Sequence, residues 1–354
     1  MMSLLNQEYT SRQRDLAQTI FERYMSADPL LSSEYSQYRQ RTMLRDILYN
    51  LECLDVAVRH DTEEIFLDYV LWMYNLLVTR MTDTSPERIK QQLIQHYQTM
   101  IEVLAEDVSE SANQRRIILE KAISLTKQGQ VPGTPSRRFE KGKYAPLRQA
   151  YLQNLLAGDR KSASKEIMDA IEAGVPLKDI YIEVFQEVMW EVGNLWHRNK
   201  LTVDKEHLCT AITQGVMAQL YSRIFSTPRN GRRIVACCVG SELHEMGVRT
   251  VCDLFELNGW DSVYLGAAVP TDGVLHAVEE HKPDVVALSV TMISYIDNCA
   301  EIIETIRRHS NLQATRIAVG GRAFQIASSL PKKWGVITAT NGADFVDWAV
   351  RFFG

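Results

Sequence analysis

One loop holds the residues with the clearest potential for metal chemistry. The segment Gly240-Ser-Glu-Leu-His-Glu-Met-Gly247 follows a short apolar stretch, and Gly247 opens the next helical stretch. The loop presents the imidazole of His244, and imidazole is a good ligand for transition metals. A single histidine in a loop is more commonly a surface or hydrogen-bonded residue, so ligation by His244 needs support from other residues.

A second candidate group lies upstream of that loop. Trp196-His197 is followed by Glu206-His207, with nine residues between Trp196 and Glu206. Both pairs fall within sequence of helical periodicity. Taken alone, they also fit a buried tryptophan and a solvated Glu-His pair, and that alternative stays open.

The loop around His244 requires a parallel sheet to position it. Short apolar segments alternate with helical stretches after Pro228; these are Arg233–Val239, Asp261–Leu265, Val285–Val290, Arg316–Val319 and Gly335–Thr338. Strands that are apolar on both faces predict a five-stranded, doubly wound parallel sheet of the flavodoxin-like, Rossmann type. Ligands of such sheets bind at the edge where the strands end. His244 follows the first predicted strand, Ser289-Val-Thr291 the third and Gly320-Gly321 the fourth.

Three further segments precede this sheet. Residues 1–127 show helical periodicity with almost no glycine or proline and predict an all-helical domain. Residues 128–143 concentrate glycine, proline and basic residues and predict a linker. Residues 144–227 show helical periodicity in about four pieces and predict a helical-bundle cap. Residues 228–354 then form the α/β domain.

Composition excludes several functional classes. The 354 residues carry a formal net charge of -5, with Arg and Lys scattered, which disfavours direct nucleic-acid binding. We expect no membrane association, since no apolar run is long enough to span a bilayer, and the first twenty residues do not resemble a signal peptide. A cytoplasmic protein is predicted. The six cysteines form no CxxC pair and are predicted to be reduced core thiols.

The α/β segment resembles the cobalamin-binding domains of methionine synthase, corrinoid-protein methyltransferases and B12 mutases. Their signature is Asp-x-His-x-x-Gly, then Ser-x-Thr or Ser-x-Leu, then Gly-Gly. The matching residues are His244 and Gly247, Ser289-Val-Thr291, and Gly320-Gly321. The resemblance covers 232–354. It implies that His244 is the lower axial ligand to cobalt and that the glycines admit the displaced nucleotide tail of the cofactor.

The chain departs from this signature at one position. Glu242 stands where the family has aspartate, whose carboxylate orients the histidine and raises its basicity. The extra methylene leaves that hydrogen bond open at this point. A cofactor-free receiver domain is the structural alternative, but receivers need an acidic phosphorylation pocket, and the sequence shows none.

The upstream group resembles the cap of the CarH family of light-sensing B12 proteins, which carries a Trp-x9-Glu-His motif. The resemblance implies that Trp196 packs on the upper ligand of adenosylcobalamin and that Glu206 and His207 line its pocket. It also implies that His197 takes the upper cobalt position after light removes the adenosyl group. Leu243, beside His244, completes the implied cofactor-binding set.

The whole arrangement looks similar to the photocobilins, which pair B12 with biliverdin. This similarity implies a bilin in the N-terminal domain, with possible neighbours Tyr69, Trp72, Tyr74, and His60 or His96. The same aromatic residues also fit an ordinary core, and a globin-like bundle that binds nothing but a partner stays open. Cys53 is predicted to be a core residue and not an attachment point.

The leading hypothesis is a B12-dependent photoreceptor without catalysis of its own, whose output passes through homo-oligomerisation or a signalling partner. The sequence reaches Gly354 without an attached enzyme or DNA-binding domain, so transcriptional repression is not inferred. The alternative is a corrinoid protein that carries methyl groups in a methyltransferase system. A mutase subunit is a third hypothesis, but it needs a barrel partner that the sequence does not supply.

Overall fold

The computed structural model describes residues 9–106, 111–129 and 139–354. The described chain forms two compact units. One comprises the N-terminal helices together with Met292–Asp297 and Arg322–Lys333. The other comprises the remaining described residues. Residues 130–138 of the predicted linker lie outside the described residues.

The N-terminal unit is helical, as predicted. Its helices are α1 Ser11–Ala27, α2 Leu31–Glu34, α3 Gln37–His60, α4 Glu63–Arg80, α5 Pro86–Leu104 and α6 Ser111–Gln128. Local sequence explains where they begin. Thr10 and Gln13 form a reciprocal capping box at the start of α1, and Ser85 caps α5 ahead of Pro86 in its first turn. The core includes the fully buried Ile20, Leu54 and Phe66.

The second unit begins with a helical cap. Its helices are α7 Ala145–Ala157, α8 Arg160–Glu172, α9 Leu177–Asp179, α10 Gln186–His197, α11 Val203–Gln219 and α12 Tyr221–Ile224. A π-helical segment, Ile180–Phe185, joins α9 to α10. Gly158 ends α7 in the left-handed region, and the side chain of Asp159 caps α8.

A parallel sheet follows the cap. Its strands are β1 Arg233–Val239, β2 Asp261–Val269, β3 Val285–Ser289 and β4 Arg316–Gly320, in the order β2-β1-β3-β4. The connecting helices are α13 Met246–Leu257, α14 Thr271–His281, α15 Ile296–Arg308, α16 Arg322–Ile326, α17 Leu330–Lys333 and α18 Gly342–Phe353. Strand β3 is buried along its whole length, which explains its continuous apolar sequence.

The prediction of five strands was wrong, because the described sheet has four. The segment expected to form the fifth strand, Gly335–Thr338, pairs with β4 only through the single bridge between Ala318 and Ile337. Gly335 adopts a left-handed backbone immediately before this point. After Ile337 the chain leaves the sheet and enters α18, which Asn341 caps. Ile337 is only partly buried against the core, so the apolar character of the segment does not reflect a continued ladder.

The cap and the sheet share one hydrophobic core. Tyr151 and Phe185 of the cap belong to the same buried cluster as Phe255 and Trp260 of the α/β part. Inside this core, the hydroxyl of Tyr181 donates to Asp253 over 2.8 Å. The cap therefore has a defined position relative to the sheet edge.

No helix in the described ranges combines the length and apolar character needed to cross a membrane.

Candidate functional site

The predicted ligand loop lies at the switch point of the sheet. Strand order reverses between β1 and β3, so the loops that follow these two strands diverge and leave a crevice. His244 lies in the loop after β1, and Thr291 lies in the loop after β3. In the ladder, Cys238 of β1 is aligned with Ser289 of β3, and Ser289 is aligned with Gly320 of β4. The fold therefore brings the predicted residues of three strands to one edge.

The carboxylate of Glu242 organises this edge. Its side chain is fully buried. Oε1 accepts the backbone N–H of His244 over 3.0 Å and lies 2.5 Å from the imidazole Nδ1. Oε2 accepts the backbone N–H of Thr291 over 2.8 Å. One buried carboxylate thus fixes the imidazole and joins the loops that follow β1 and β3, so the extra methylene of glutamate does not prevent its hydrogen bond to the imidazole.

His244 is arranged to present its other nitrogen. Its side chain is 60% exposed although its partner Glu242 is not exposed at all. Partial desolvation of the ring by the surrounding protein disfavours protonation, but the hydrogen bond and charge of Glu242 outweigh it, and the pKa of His244 is raised. Because Nδ1 faces the carboxylate, Nε2 is the nitrogen available to a metal.

The end of β2 holds the loop in place. The ladder between β1 and β2 is irregular near its carboxyl end, and Gly266 and Ala268 have positive φ there. Gly240 donates to the carbonyl of Val269 over 3.1 Å, and Ala268 donates to the carbonyl of Glu242 over 2.9 Å. The irregular strand end therefore replaces regular pairing with hydrogen bonds to the ligand loop.

The two glycines after β4 have different roles. Gly321 has a φ of +94°, and an added Cβ would lie 2.3 Å from the carbonyl oxygen of Val290. Only glycine fits there, because any side chain would collide with backbone. At Gly320, an added Cβ would meet nothing within 4 Å, and the same is true of Gly247. Gly320 thus leaves open space beside the sheet edge, whereas Gly321 is required by the fold itself.

The predicted cap residues occupy the neighbouring ends of α10 and α11, which pack together. Trp196 is half-buried against the shared core, and His197 is the last residue of α10. In the first turns of α11, His207 Nδ1 lies 2.5 Å from a carboxylate oxygen of Glu206, and Thr210 donates to the other oxygen over 3.1 Å. The side chain of His207 is 58% exposed.

The structure links this cap helix with the ligand loop. The charge of Glu206 contributes to raising the pKa of His244, so the two groups are within electrostatic reach. A direct contact involves residues that the sequence did not indicate. Glu245 accepts from Gln214 of α11 and from the hydroxyl of Tyr264 of β2, each over 2.6 Å. The only sequence signal for Glu245 was its position next to His244.

The residues predicted to lie near a second chromophore have two different environments in the N-terminal unit. Tyr69, Tyr74 and His96 are buried, and Trp72 stacks near Tyr69 with ring centroids 6.4 Å apart. His60 has a different environment at the end of α3, where its Nε2 lies 2.7 Å from a carboxylate oxygen of Asp297.

The polar atoms of the His96 side chain are buried without hydrogen-bond partners among the described residues. Neither ring nitrogen of His96 has a hydrogen-bond partner among the described residues, and the same holds for the hydroxyls of Tyr69 and Tyr97. Burial lowers the pKa of His96 to about 4. Cys53 is fully buried, and burial raises the pKa of its thiol well above the usual range. This is the environment expected of a core residue.

The part of the chain that the structure describes offers no competing metal site among its acidic, histidine and cysteine side chains. Among the described residues, no group of three or more His, Cys, Asp or Glu side chains could hold a metal ion. A metal at His244 would therefore need to bring further ligands of its own, as a corrin macrocycle does. A pocket of about 610 Å³ lies between α8 and α11, lined by residues including Arg160, Lys165 and Gly215, and it contains none of the predicted site residues.

Comparisons with known families agree with the geometry. Residues 147–221 and 232–342 each match a family described as a B12 binding domain. Cobalamin binding is supported. The two matched ranges are the cap and the α/β part, which share one core, and the second range contains the loop of His244.

Individual relatives fall into two groups. The HTH-type transcriptional repressor CarH of Myxococcus xanthus is 28% identical over 162 residues, 46% of this chain and 53% of the repressor. CarA of the same organism is 30% identical over 109 residues, 31% of this chain and 38% of the repressor. The matched part thus spans about half of CarH and less of CarA. Corrinoid proteins and methionine synthases also match.

A solved structure supports the fold. The monomethylamine corrinoid protein of Methanosarcina barkeri aligns with 59% of this chain and 99% of its own, with a TM-score of 0.52 and 17% identity. At that identity the likeness concerns architecture alone. It supports a Rossmann-like fold built around the four-stranded parallel sheet.

Proposed function

We propose that the protein is a cobalamin-dependent light sensor in which His244 is the lower axial ligand to cobalt. The observation that carries the proposal is the buried carboxylate of Glu242. It faces Nδ1 of His244 over 2.5 Å and leaves Nε2 on the far side of a ring that is 60% exposed. A carboxylate in this position favours the tautomer that ligates through Nε2 and raises the basicity of the ligand.

The sheet edge fits the remainder of the cofactor. Open space at Gly320 would admit the nucleotide tail beside the sheet, and buried Ser289 lies next to it in the ladder. Thr291 is held in place by its backbone hydrogen bond to Glu242. Gly321 allows the loop after β4 to approach the backbone of Val290 closely.

The cap would cover the opposite face. Trp196 supplies a half-buried aromatic surface, and Glu206 and His207 supply polar groups at the start of α11. We assign Trp196, Glu206 and His207 to the adenosyl pocket and His197 to cobalt ligation after light. When bound, adenosylcobalamin supplies a cobalt–carbon bond that visible light cleaves. The residues of the cap and of the ligand loop then convert a change in the pocket into a change of conformation or assembly.

A light-dark comparison tests the proposal. The full chain is reconstituted in the dark with adenosylcobalamin, and its absorption spectrum and size-exclusion volume are measured before and after green light. We expect spectral conversion together with a changed elution volume. Bound cofactor without photoconversion would contradict the sensor function, and no bound cobalamin would contradict the whole proposal.

Two histidine variants separate the ligand assignments. His244→Ala should lose the nitrogen-ligated visible spectrum of the bound cofactor. His197→Ala should still photoconvert but give a water-ligated product that readily accepts added ligands. His276→Ala is the matched control, because that imidazole is exposed on α14, and its photoproduct should equal that of the unmodified protein. An unchanged photoproduct in His197→Ala would contradict the role of His197.

A methyl-carrier function in a methyltransferase system is the second candidate. Its support is the match to corrinoid proteins and the fold shared with the monomethylamine corrinoid protein. A methyl carrier needs open access to the upper face, whereas Trp196 and Glu206 suit a bulky adenosyl group. Dark loading with equal amounts of methylcobalamin and adenosylcobalamin distinguishes the two, since the sensor should retain the adenosyl form preferentially.

For the N-terminal unit we propose a bilin, with biliverdin as the probe. The supporting observation is the buried set of unpartnered polar atoms on Tyr69, Tyr97 and His96 among the described residues, because such atoms are costly unless something pairs with them. Biliverdin added to the full chain should give red-region absorbance that remains after gel filtration. His96→Phe should reduce it, and loss of all absorbance from the unmodified protein on filtration would contradict binding.

A further inference from the structure

Glu245 occupies a junction between three elements of the second unit. It directly follows His244 and is the N-cap residue of α13. One carboxylate oxygen accepts from the side-chain amide of Gln214 on α11, and the other accepts from the hydroxyl of Tyr264 on β2. Both distances are 2.6 Å. Both oxygens of a half-buried carboxylate are therefore engaged with partners from different elements.

The α11 side of this junction is continuous with the cap residues. Glu206, Thr210 and Gln214 are spaced by four residues and thus lie along one face of the helix. Thr210 donates to Glu206 over 3.1 Å. At one end of the stripe Glu206 pairs with His207, and at the other end Gln214 bonds to Glu245. One helix face therefore connects the pair assigned to the adenosyl pocket with the ligand loop.

The sheet side of the junction is anchored in the β1–β2 ladder. Tyr264 lies in β2, whose backbone is paired with β1 in regular register up to this point. The neighbouring end of β2 also holds the backbone of Glu242 through Ala268. The hydroxyl of Tyr264 thus gives Glu245 a fixed reference, while Gln214 belongs to the cap. A displacement of the ligand loop would change the two hydrogen bonds of Glu245 unequally.

We infer that Glu245 is a positioning residue that couples the loop of His244 to cap helix α11 through Gln214, with Tyr264 holding the carboxylate in place. The inference rests on the proposed function, since His244 is the ligand in it. Glu242 orients the imidazole, and Glu245 transmits the position of the loop to the cap. Removing the coupling should leave ligation by His244 intact. It should weaken the change that cofactor binding causes in α11.

Amide hydrogen exchange of the full chain tests this assignment. Peptides covering α11 are compared with and without hydroxocobalamin in the unmodified protein, Gln214→Met, Tyr264→Phe and Gln219→Met. Gln219 is the matched control, because it is on the same helix but bonds to Ser164 of α8. In the unmodified protein and Gln219→Met, cofactor should slow exchange in α11. In Gln214→Met the slowing should fall by about fivefold, the effect of losing one charge-assisted hydrogen bond, with a smaller loss in Tyr264→Phe.

The visible spectrum of the bound cofactor distinguishes coupling through Gln214 from a general structural role of that residue. Gln214→Met should keep the nitrogen-ligated spectrum although its α11 response is reduced. Equal slowing in Gln214→Met and Gln219→Met would overturn the coupling. Loss of the ligated spectrum together with the α11 response in Gln214→Met would also overturn it, since that result indicates a general collapse of the site.

A cofactor-free arm separates this inference from the proposed function. Without cofactor, Gln214→Met should speed exchange in peptides covering 240–247, whereas Gln219→Met should not. If this occurs but no cobalamin binds to any variant, the light-sensor proposal fails and the link between loop and cap stands. If exchange in 240–247 is unchanged in Gln214→Met, the link itself is contradicted.

Discussion

Two histidines in the two units have opposite environments. His244 faces a buried carboxylate that also accepts from the backbone N–H groups of His244 and Thr291, and the ring of His244 is largely exposed. His96 is almost fully buried between the aromatic rings of Tyr24 and Tyr97, with no hydrogen-bond partner for either nitrogen among the described residues. The pKa of His244 is raised, and that of His96 is lowered to about 4.

The difference separates an oriented imidazole from a neutral core group. The backbone N–H and the Nδ1 of His244 both face the carboxylate of Glu242, so the position of the ring is determined before any metal binds. Around His96, polar atoms are buried without compensation, which costs stability unless a further molecule pairs with them. In the α/β part, protein atoms alone hold the imidazole in a defined position. In the N-terminal unit, buried polar atoms lack hydrogen-bond partners among the described residues.

Substitutions of Gly320 and Gly321 test how tightly the backbone constrains the sheet edge, and they should give the largest effect. Gly321→Ala should lower the free energy of unfolding by about 4 kcal/mol, because its Cβ would collide with the Val290 backbone at a positive φ. Gly320→Ala is the matched control and should change stability by less than about 0.5 kcal/mol. Denaturant unfolding measures both. A similar stability for the two variants would show that the edge is not constrained in this way.

Removal of the Glu242 charge should have the next largest effect. The Glu242→Gln side chain keeps the shape of glutamate. Its amide group, however, places a donor opposite one of the three N–H groups, where the carboxylate places an acceptor. We expect a loss of about 3 kcal/mol in unfolding free energy and weaker nitrogen ligation of bound cobalamin. Glu256→Gln, which alters another buried carboxylate distant from His244 in the chain, controls for loss of charge. A ligated spectrum unchanged in Glu242→Gln would contradict the orienting role.

The smallest effect concerns pH and sharpens the contrast between the histidines. Burial lowers the pKa of His96, so the unfolded chain binds its proton more readily, and stability is lost as pH falls from about 6.5 to about 4. His96→Phe should reduce this loss and raise stability at pH 7 by about 1 kcal/mol. The contribution of His244 has the opposite sign, because its raised pKa favours the folded state at low pH and fades as pH rises.

Unfolding at several pH values measures this effect, with His276→Phe as the control on an exposed imidazole. A fall in stability at pH 7 in His96→Phe would show that the imidazole has a partner, for example a buried water or a ligand. That outcome would remove the contrast between the two environments.

Periodicity was sufficient to predict the helical N-terminal region and the parallel sheet. It failed at Gly335–Thr338, because apolar residues beside a sheet look the same whether one residue or several pair with it. Motif spacing predicted that His244, Thr291 and Gly320 lie at one edge of the sheet, because parallel strands end at the same edge. It could not assign different roles to Gly320 and Gly321, which depend on a backbone approach to Val290. Nor could it find Gln214 and Tyr264, whose link through Glu245 exists only in the packed structure.

The central claim, that His244 binds cobalt, is tested most directly by electron paramagnetic resonance of the protein loaded with cob(II)alamin in the dark. Protein labelled with nitrogen-15 only in histidine is compared with unlabelled protein. A histidine ligand predicts that the nitrogen splitting changes from a triplet to a doublet on labelling and that His244→Ala loses the doublet. A triplet that survives labelling would show that the cofactor's own base remains on cobalt and would contradict ligation by His244.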